Sequence, residues 1–398
     1  MNVMETKKTS APARSGLTLV WIVLPLLALA AAIAWIFAAD PLGRLDNGAP
    51  PVENLTFERT ILNDRGLQLL VRAGGSEPMT IAQVQVDAAY WTFTQSPPGE
   101  IPRGSSVWLN IDFPWNLADT HAVTVVTNTG ASFDHEIAVA VPTPTATSGQ
   151  LWIQALVGII VGVVPVAIGL MFYPALRNVD QGGMNFLLAL TIGLLLYLLI
   201  DMTEEALEIA GETAALFQGR VMVVLGAFAA FLILMAVGRR HGTPTGLALA
   251  TYIALGIGLH NFGEGLAIGA AFAAGSAGLG AFLVLGFAIH NITEGIGIAA
   301  PILKKRPSLW IFAGLTLLAG GPAVLGMWLG SLAYAPQWTA FALAIGAGAI
   351  LQVIVEVSAY MVRSNARNFV SLSLSPAVLG GLGAGIMFMY VTAAVVKI

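Results

Sequence analysis

The feature that most constrains this chain is a polar motif that occurs twice inside long apolar runs. The segments His260–Gly265 and His290–Gly295 both read H-N-x-x-E-G. A charged carboxylate at bilayer depth costs several kcal/mol unless another group compensates it. His and Glu four residues apart project from nearly the same helix face, and the Asn lies beside them. Two such faces would enclose a divalent cation.

The composition indicates that lipid surrounds most of the chain. Of 398 residues, 57% are hydrophobic and 10% are charged, whereas soluble domains carry roughly 25% charged residues. The net charge of −4 argues against a nucleic-acid partner. Cysteine is absent from the sequence, which excludes disulfides and thiolate metal sites. A transition metal would therefore bind through imidazole, carboxylate, amide or thioether groups, which suit zinc, ferrous iron or manganese.

Residues 17–39 form an uninterrupted apolar run that is long enough to span a bilayer. Because Lys7, Lys8 and Arg14 precede it, we expect residues 1–16 to be a cytoplasmic tail and the run to be a transmembrane anchor. A cleaved signal peptide is the alternative, although the run exceeds the usual signal core of about 7–15 residues. In both cases the segment that follows lies outside the cytoplasm.

The segment after the anchor has the pattern of a small β domain. Residues 40–56 read as a Pro/Gly/Asn linker, and residues 57–141 contain short alternating runs separated by turn residues. This period-two pattern predicts an antiparallel β-sandwich, with one expected strand over Glu136–Val141. Residues 142–150, which are rich in Pro and Thr, are expected to form an extended connector into the membrane.

Eight further apolar runs follow within residues 151–398. They cover 151–173, 184–207, 218–237, 245–274, 277–302, 308–332, 338–362 and 374–396. The basic residues concentrate in alternate loops, which contain Arg177, Arg239–His241, Lys304–Arg306 and Arg363–Arg367. The positive-inside rule therefore predicts nine spans of the cell membrane. The N-terminus would be cytoplasmic, and the β domain and the C-terminus extracytoplasmic.

The two motifs would face each other near the membrane midplane, because successive spans run in opposite directions. Transporters often build ion sites from such opposed elements. One alternative is a pair of hydrogen-bonded clusters that only hold the bundle together, a role normally filled by Ser, Thr, Asn or Gln. An intramembrane metal-dependent hydrolase, in which the metal activates water, is a second alternative. A membrane sensor with a ligand-binding β domain is a third, and it leaves the motifs unexplained.

The paired motifs resemble those on the fourth and fifth core helices of the ZIP (zinc–iron permease) family. That family has eight spans with both termini outside, and the runs after residue 150 fit this plan. The resemblance implies a mainly α-helical bundle that transports a divalent metal. Zinc is the expected metal, and iron and manganese are the alternatives. It implies uptake toward the cytoplasm, without enzymatic activity or a prosthetic group. A homodimer is compatible with the resemblance. The implied metal ligands are His260, Asn261, Glu264, His290, Asn291 and Glu294.

Three positions depart from the family pattern. The family usually has Pro before the motif Glu, whereas this chain has Gly263 and Thr293. Proline would free a backbone carbonyl and kink the helix, and glycine can bend similarly. Gly321 stands where the family often has a Glu that serves a second metal. We therefore expect one metal site rather than two.

Other polar residues of the spans are expected along the path of the metal. Asp201 is a candidate additional ligand, and the candidate pathway residues are Glu204, Glu205, Gln352 and Glu356. Asp201 and its neighbours lie toward the outer end of their span, where a row of carboxylates attracts cations. Glu356 lies toward the inner end, where it would pass the metal to the cytoplasm or pair with Arg363.

Overall fold

The computed structural model describes residues 15–39, 51–240, 242–273, 277–332, 334–365 and 369–396. The chain divides into two compact units, Met1–Pro51 and Val52–Ile398. In the first unit, helix α1 covers Ser15–Ala39 and contains Pro25. Most of the expected cytoplasmic tail and most of the expected linker lie outside the described residues.

The second unit begins with a small antiparallel β region, which confirms the prediction from the alternating pattern. Its strands are β1 (Leu55–Asn63), β2 (Gly66–Ala73), β3 (Ile81–Val86), β4 (Ala89–Trp91), β5 (Phe93–Ser96), β6 (Ser106–Ile111), β7 (His121–Thr127) and β8 (Ser132–Ile137). They form two four-stranded sheets with the orders β1-β2-β6-β5 and β4-β3-β7-β8. Buried side chains from both sheets, such as Leu69 and Val125, share one apolar core. We call this region the β domain.

The last strand differs from the prediction of a strand over Glu136–Val141. That prediction is wrong for its second half, because β8 ends at Ile137. Beyond it the Ala138 carbonyl accepts a hydrogen bond of 2.8 Å from Thr120 Oγ1. Ala140 makes two backbone hydrogen bonds with the loop before β7. The alternating apolar residues therefore pack beside a loop, where they are paired without extending the sheet.

The prediction of a mainly helical chain is also confirmed. The helices are α2 (Ser148–Gly158), α3 (Val164–Met171), α4 (Tyr173–Leu176), α5 (Gln181–Gly211), α6 (Gly219–Gly238), α7 (Gly246–Ala273), α8 (Ala277–Ala299), α9 (Leu309–Gly320), α10 (Pro322–Leu332), α11 (Pro336–Arg363), α12 (Phe369–Ser373) and α13 (Pro376–Val396). Among the described residues, seven helical stretches are long and apolar enough to cross a membrane: Ser148–Leu176, Gln181–Gly211, Ala215–Gly238, Gly246–Ala273, Leu309–Leu332, Pro336–Arg363 and Pro376–Ala394. Helix α8 and the 3₁₀ turn Ala300–Ile302 occupy the remaining predicted run.

The bundle exposes large apolar side chains and buries several ionisable ones. Helices α7 and α11 are largely buried, whereas α6 and α13 lie at the periphery. Large apolar side chains of α6, including Val224, Leu225 and Phe228, are exposed. The imidazole, carboxylate and amide groups of both motifs are buried. A soluble protein places charged groups at its surface, so this reversed pattern fits an apolar surrounding medium.

Two of the seven stretches are broken near their middle, in each case next to a proline. The stretch Ser148–Leu176 contains a π-helical turn, Ile159–Val163, just before Pro165. The stretch Leu309–Leu332 is interrupted at Gly321, immediately before Pro322. Proline lacks the N–H that continues the helical ladder, which explains the position of both breaks.

The two broken stretches cross each other at a pair of glycines. A Cβ atom added to Gly162 would lie 2.3 Å from the carbonyl oxygen of Gly320. Helices α7 and α10 approach as closely, since a Cβ on Gly265 or on Gly326 would lie 2.1 Å from a backbone oxygen of the other helix. Small residues permit such backbone contact between membrane helices. The glycines thus bring α7 and both breaks close together.

We predict that Gly326→Ala destabilises the bundle by about 1–3 kcal/mol, because the added methyl group would overlap the carbonyl of Phe262. The measurement is the thermal unfolding midpoint of the detergent-solubilised protein. The matched control is Gly383→Ala in α13, where an added Cβ meets nothing within 4 Å. This control should retain or raise the midpoint, because Ala is the better helix former by about 1 kcal/mol. Equal midpoints for the two variants would contradict the close packing.

Candidate metal site

The two motifs lie on neighbouring helices, α7 and α8, and their side chains meet in the interior. Glu264 is the link between them. Its Oε1 lies 2.9 Å from His260 Nε2, one helical turn earlier on α7. The same oxygen lies 2.7 Å from His290 Nε2 on α8. Asn291 Nδ2 donates to the other oxygen at 3.3 Å. One carboxylate thus contacts both imidazoles and one amide across the helix pair.

The motif asparagines connect this pair to the two broken stretches. Asn261 Nδ2 donates to the carbonyl of Ala319 at 3.0 Å, and Asn291 Nδ2 donates to the carbonyl of Val161 at the same distance. Each carbonyl belongs to the residue just before a crossing glycine. The last carbonyls of a helix have no intrahelical donor, so the break at Gly321 makes the Ala319 oxygen available. The breaks therefore fix the orientation of both amides.

Several buried acceptor atoms of the motifs make no hydrogen bond with the part of the chain that the structure describes. They are both carboxylate oxygens of Glu294 and the Oδ1 atoms of Asn261 and Asn291. Glu294 is only 2% exposed. A buried carboxylate without a compensating partner is strongly unfavourable. A bound cation would satisfy several of these oxygen acceptors at once.

His260, His290 and Glu294 can present ligand atoms that all lie within 4.8 Å of one another. His260 Nε2 is 3.8 Å from Glu294 Oε1, and the two imidazole centroids are 6.1 Å apart. Zinc binds nitrogen and oxygen at about 2.0–2.2 Å, so ligand atoms around one ion lie up to about 4 Å apart. Shifts below about 1 Å would bring the three groups onto one metal ion.

The structure makes the two motif carboxylates unequal, although the two motifs are nearly identical in sequence. Glu264 contacts both imidazoles, whereas Glu294 makes no hydrogen bond with the described residues. The substituted positions before each Glu also differ. A Cβ on Gly263 would lie 3.1 Å from Leu343 and Met202, and Thr293 Oγ1 donates to the His290 carbonyl at 2.6 Å. The Thr293 hydroxyl thus engages the backbone of its own motif.

Asp201 on α5 lies close enough to His260 to interact electrostatically with its ring. Glu205, one helical turn farther along the same helix face, is half-buried and lies within electrostatic range of Glu264. Glu204 is exposed on another face of α5. Of the two candidate pathway carboxylates on this helix, Glu205 is therefore the one on the side of the motifs.

Gln352 and Glu356 lie on α11, toward the opposite end of the bundle, and both are buried. A Cβ on Gly256, one turn before His260, would lie 3.3 Å from Gln352 Oε1. Glu356 Oε1 forms an ion pair of 2.8 Å with Arg239 Nε at the end of α6.

The pairing of Glu356 with Arg363, one of the two roles considered for it, is not the pairing in the structure. Seven residues along a helix place the two positions about 10 Å apart along its axis. The α6 end packs beside α11 and supplies the nearer cation. The sequence did not identify Arg239 as the partner of Glu356. It showed only that Arg239 belongs to a basic loop.

The histidines of the β domain have structural contacts. His121 Nδ1 lies 2.8 Å from Asp87 Oδ2. Burial opposes the charged form of Asp87, but hydrogen bonds from His121 and the Ala122 N–H outweigh it and lower the pKa of that carboxyl. His135 stacks on Phe57 with centroids 4.8 Å apart, and burial lowers its pKa. Neither belongs to the His/Glu group found among the described residues.

Comparison of the chain with models of known protein families gave no match, and no curated protein matches it. The geometry of the motifs therefore carries the functional argument.

We predict that Arg239→Gln destabilises the protein by about 3 kcal/mol. This value is the lower end of the range for breaking a buried ion pair, and it applies because the Arg239 side chain itself reaches solvent. Glu356 would remain buried without its cation. The neighbouring Arg240→Gln is the matched control, since Arg240 is exposed and forms no ion pair with the described residues. Adding Glu356→Gln to Arg239→Gln should restore part of the thermal midpoint. A double variant less stable than Arg239→Gln alone would refute this account.

Proposed function

We propose that this chain is a divalent metal transporter of the ZIP type, with zinc as its first expected substrate and iron or manganese as alternatives. The observation that carries the proposal is the set of four buried acceptor oxygens, on Glu294, Asn261 and Asn291, that no described group satisfies. Two imidazoles adjoin them. Neutral imidazole with carboxylate and amide oxygen is a donor set suited to these metals.

The proposed setting is the cell membrane, crossed by the helical stretches of the second unit and by α1. The apolar exterior of the bundle and its buried charged groups support this setting. Most of the basic residues after residue 150 fall at the ends of the helices away from the β domain, with Arg220 at the start of α6 as an exception, and this distribution supports a cytoplasmic location for those ends. Transport would run from the β-domain side toward the cytoplasm.

In the proposed mechanism, the metal exchanges its water for the motif side chains. An imidazole binds metal only as the neutral base, so the metal takes the place of protons shared between His and Glu264. Glu264 would then turn from its two imidazole contacts toward the bound ion. Glu294, whose Oε1 lies 3.8 Å from His260 Nε2, would gain a direct contact with the ion. The site is assigned to transport and not to catalysis.

The direct test is metal uptake into proteoliposomes that contain the full chain. Glu294→Gln preserves the shape of the side chain and removes its charge, and loss of even an outer-shell group at a metal site costs about 10–100-fold in metal affinity or activity. We therefore expect uptake of zinc at limiting concentration to fall by about 10–100-fold. Zinc binding by the detergent-solubilised variant, measured calorimetrically, should weaken by a similar factor.

Glu77→Gln, which alters an exposed carboxylate of the β domain, serves as the control and should leave uptake unchanged. Iron and manganese uptake measured in the same vesicles would rank the three metals. The proposal fails if the wild-type chain moves none of them, or if Glu294→Gln and His260→Ala both transport at the wild-type rate.

A further inference from the structure

The β domain contacts the helix bundle around two adjoining cavities. The outer cleft has a volume of about 930 Å³ and lies between β1, β8 and the adjoining ends of α5 and α6. The inner cavity has a volume of about 480 Å³ and extends along α7 toward α10 and the start of α11. Both are lined by Phe57, His135, Glu136 and Glu212, so the two spaces meet at these side chains.

The charged side chains that line the inner cavity are mostly acidic. Four carboxylates line it, those of Glu58, Glu136, Glu205 and Glu212, together with one guanidinium, that of Arg59. Glu58 is neutralised by Arg72, whose Nε and Nη2 donate to it at 2.6 and 3.0 Å. The remaining three carboxylates outnumber Arg59. A concave space with this charge balance concentrates cations.

Tyr334 lies beside two of these carboxylates. This residue, in the loop between α10 and α11, also lines the inner cavity. Burial, with further contributions from the charges of Glu212 and Glu205, raises the pKa of Tyr334 to about 12. Two carboxylates from the end of α5 thus act on one phenolic hydroxyl, which stays neutral.

The inner cavity leads toward the candidate metal site. Its wall includes Ala267 and Ala270 on α7, about one and two turns beyond Glu264. It also includes Glu205 on α5, one turn beyond Asp201. Glu205 lies within electrostatic range of both Glu264 and His260. The cavity therefore ends about one helical turn from the motifs.

The inner cavity has room for a hydrated ion. Six water molecules at about 30 Å³ each occupy roughly 180 Å³, and the cavity offers about 480 Å³. A divalent ion can therefore enter with its water and lose it deeper in the bundle.

Two arginine side chains of the β domain hold it against the helices around this cavity. Arg59 Nη2 donates to the Leu332 carbonyl at the end of α10, at 2.6 Å. A helix C-terminus favours positive charge, which strengthens this contact. The Arg72 guanidinium lies over the Phe217 ring, 5.3 Å from its centroid. The domain thus forms one wall of the cavity.

We propose that the β domain forms the outer wall of the entry route for the divalent cation, which passes through the outer cleft and the inner cavity to reach the motifs. This inference rests on the proposed transport function and adds a role for the β domain. Any cation drawn to the site from this side passes between the β domain and the helix ends.

The absence of cysteine from the sequence permits a clean test with single-cysteine variants. Ala270→Cys places a thiol in the inner cavity, and Tyr90→Cys places one on the exposed surface of the β domain as the control. Proteoliposomes are treated from outside with thiosulfonates of positive, neutral or negative charge. We expect the positive adduct at residue 270 to reduce zinc uptake at least about tenfold and to act more strongly than the neutral one. The same adduct at residue 90 should change uptake less than twofold.

The labelling rate supplies a readout that does not depend on transport. At residue 270 the positive reagent should react several-fold faster than the negative one, and Glu212→Gln should reduce that ratio. If the wild-type chain transports no metal, the proposed function fails, whatever the labelling shows. If the wild-type chain transports metal but adducts at residue 270 leave uptake unchanged, the entry route is wrong while the function stands. Ala273→Cys, which lines the same cavity, repeats the test at a second position if the first variant folds poorly.

Discussion

The contact on which the rest of the structure depends is that of the buried Glu264 carboxylate with two imidazoles. An uncompensated carboxylate inside an apolar bundle is too costly to persist, so its partners must be present at fixed distances. His260 comes from the same helix, but His290 and Asn291 come from the next one. This requirement fixes the depth at which α7 and α8 face each other. The position of Glu294, beside the same imidazoles, follows from that register.

The broken stretches extend this arrangement to the rest of the bundle. Each motif asparagine donates to the carbonyl before one of the crossing glycines, Gly162 and Gly320. Both amide nitrogens are thereby occupied, and both amide oxygens are left without a donor among the described residues. An amide oxygen held in this way is preorganised for a cation, because that oxygen has no protein hydrogen bond to lose when the ion arrives. The prolines that break the helices thus determine which atom of each amide faces the site.

Much of this arrangement was predictable from the sequence, and the exceptions have physical causes. The helical spacing of His and Glu, together with the alternation of spans, predicted that the motifs would meet. The different surroundings of Glu264 and Glu294 could not be predicted, because two nearly identical motifs acquire different neighbours only after packing. The partner of Glu356 was missed for the same reason, since a basic loop does not specify which helix its Arg contacts. The strand expected over Glu136–Val141 was misplaced because alternation does not distinguish a sheet partner from a loop partner.

The two ends of the proposed path differ in a way that bears on transport. On the β-domain side, open space reaches to within about one helical turn of the motifs and is lined by carboxylates. On the opposite side, Gln352 packs against α7, and Glu356 is held by Arg239. In a carrier that alternates its access, one end of the path is open and the other is closed in each state. Since the Glu356–Arg239 pair joins α11 to the end of α6, release toward the cytoplasm would require these two helices to separate there. In the proposed mechanism, separation of α6 from α11 on the inner side would break this ion pair, whereas entry from the outer side would cross the cavity and the helical turn between its end and the motifs.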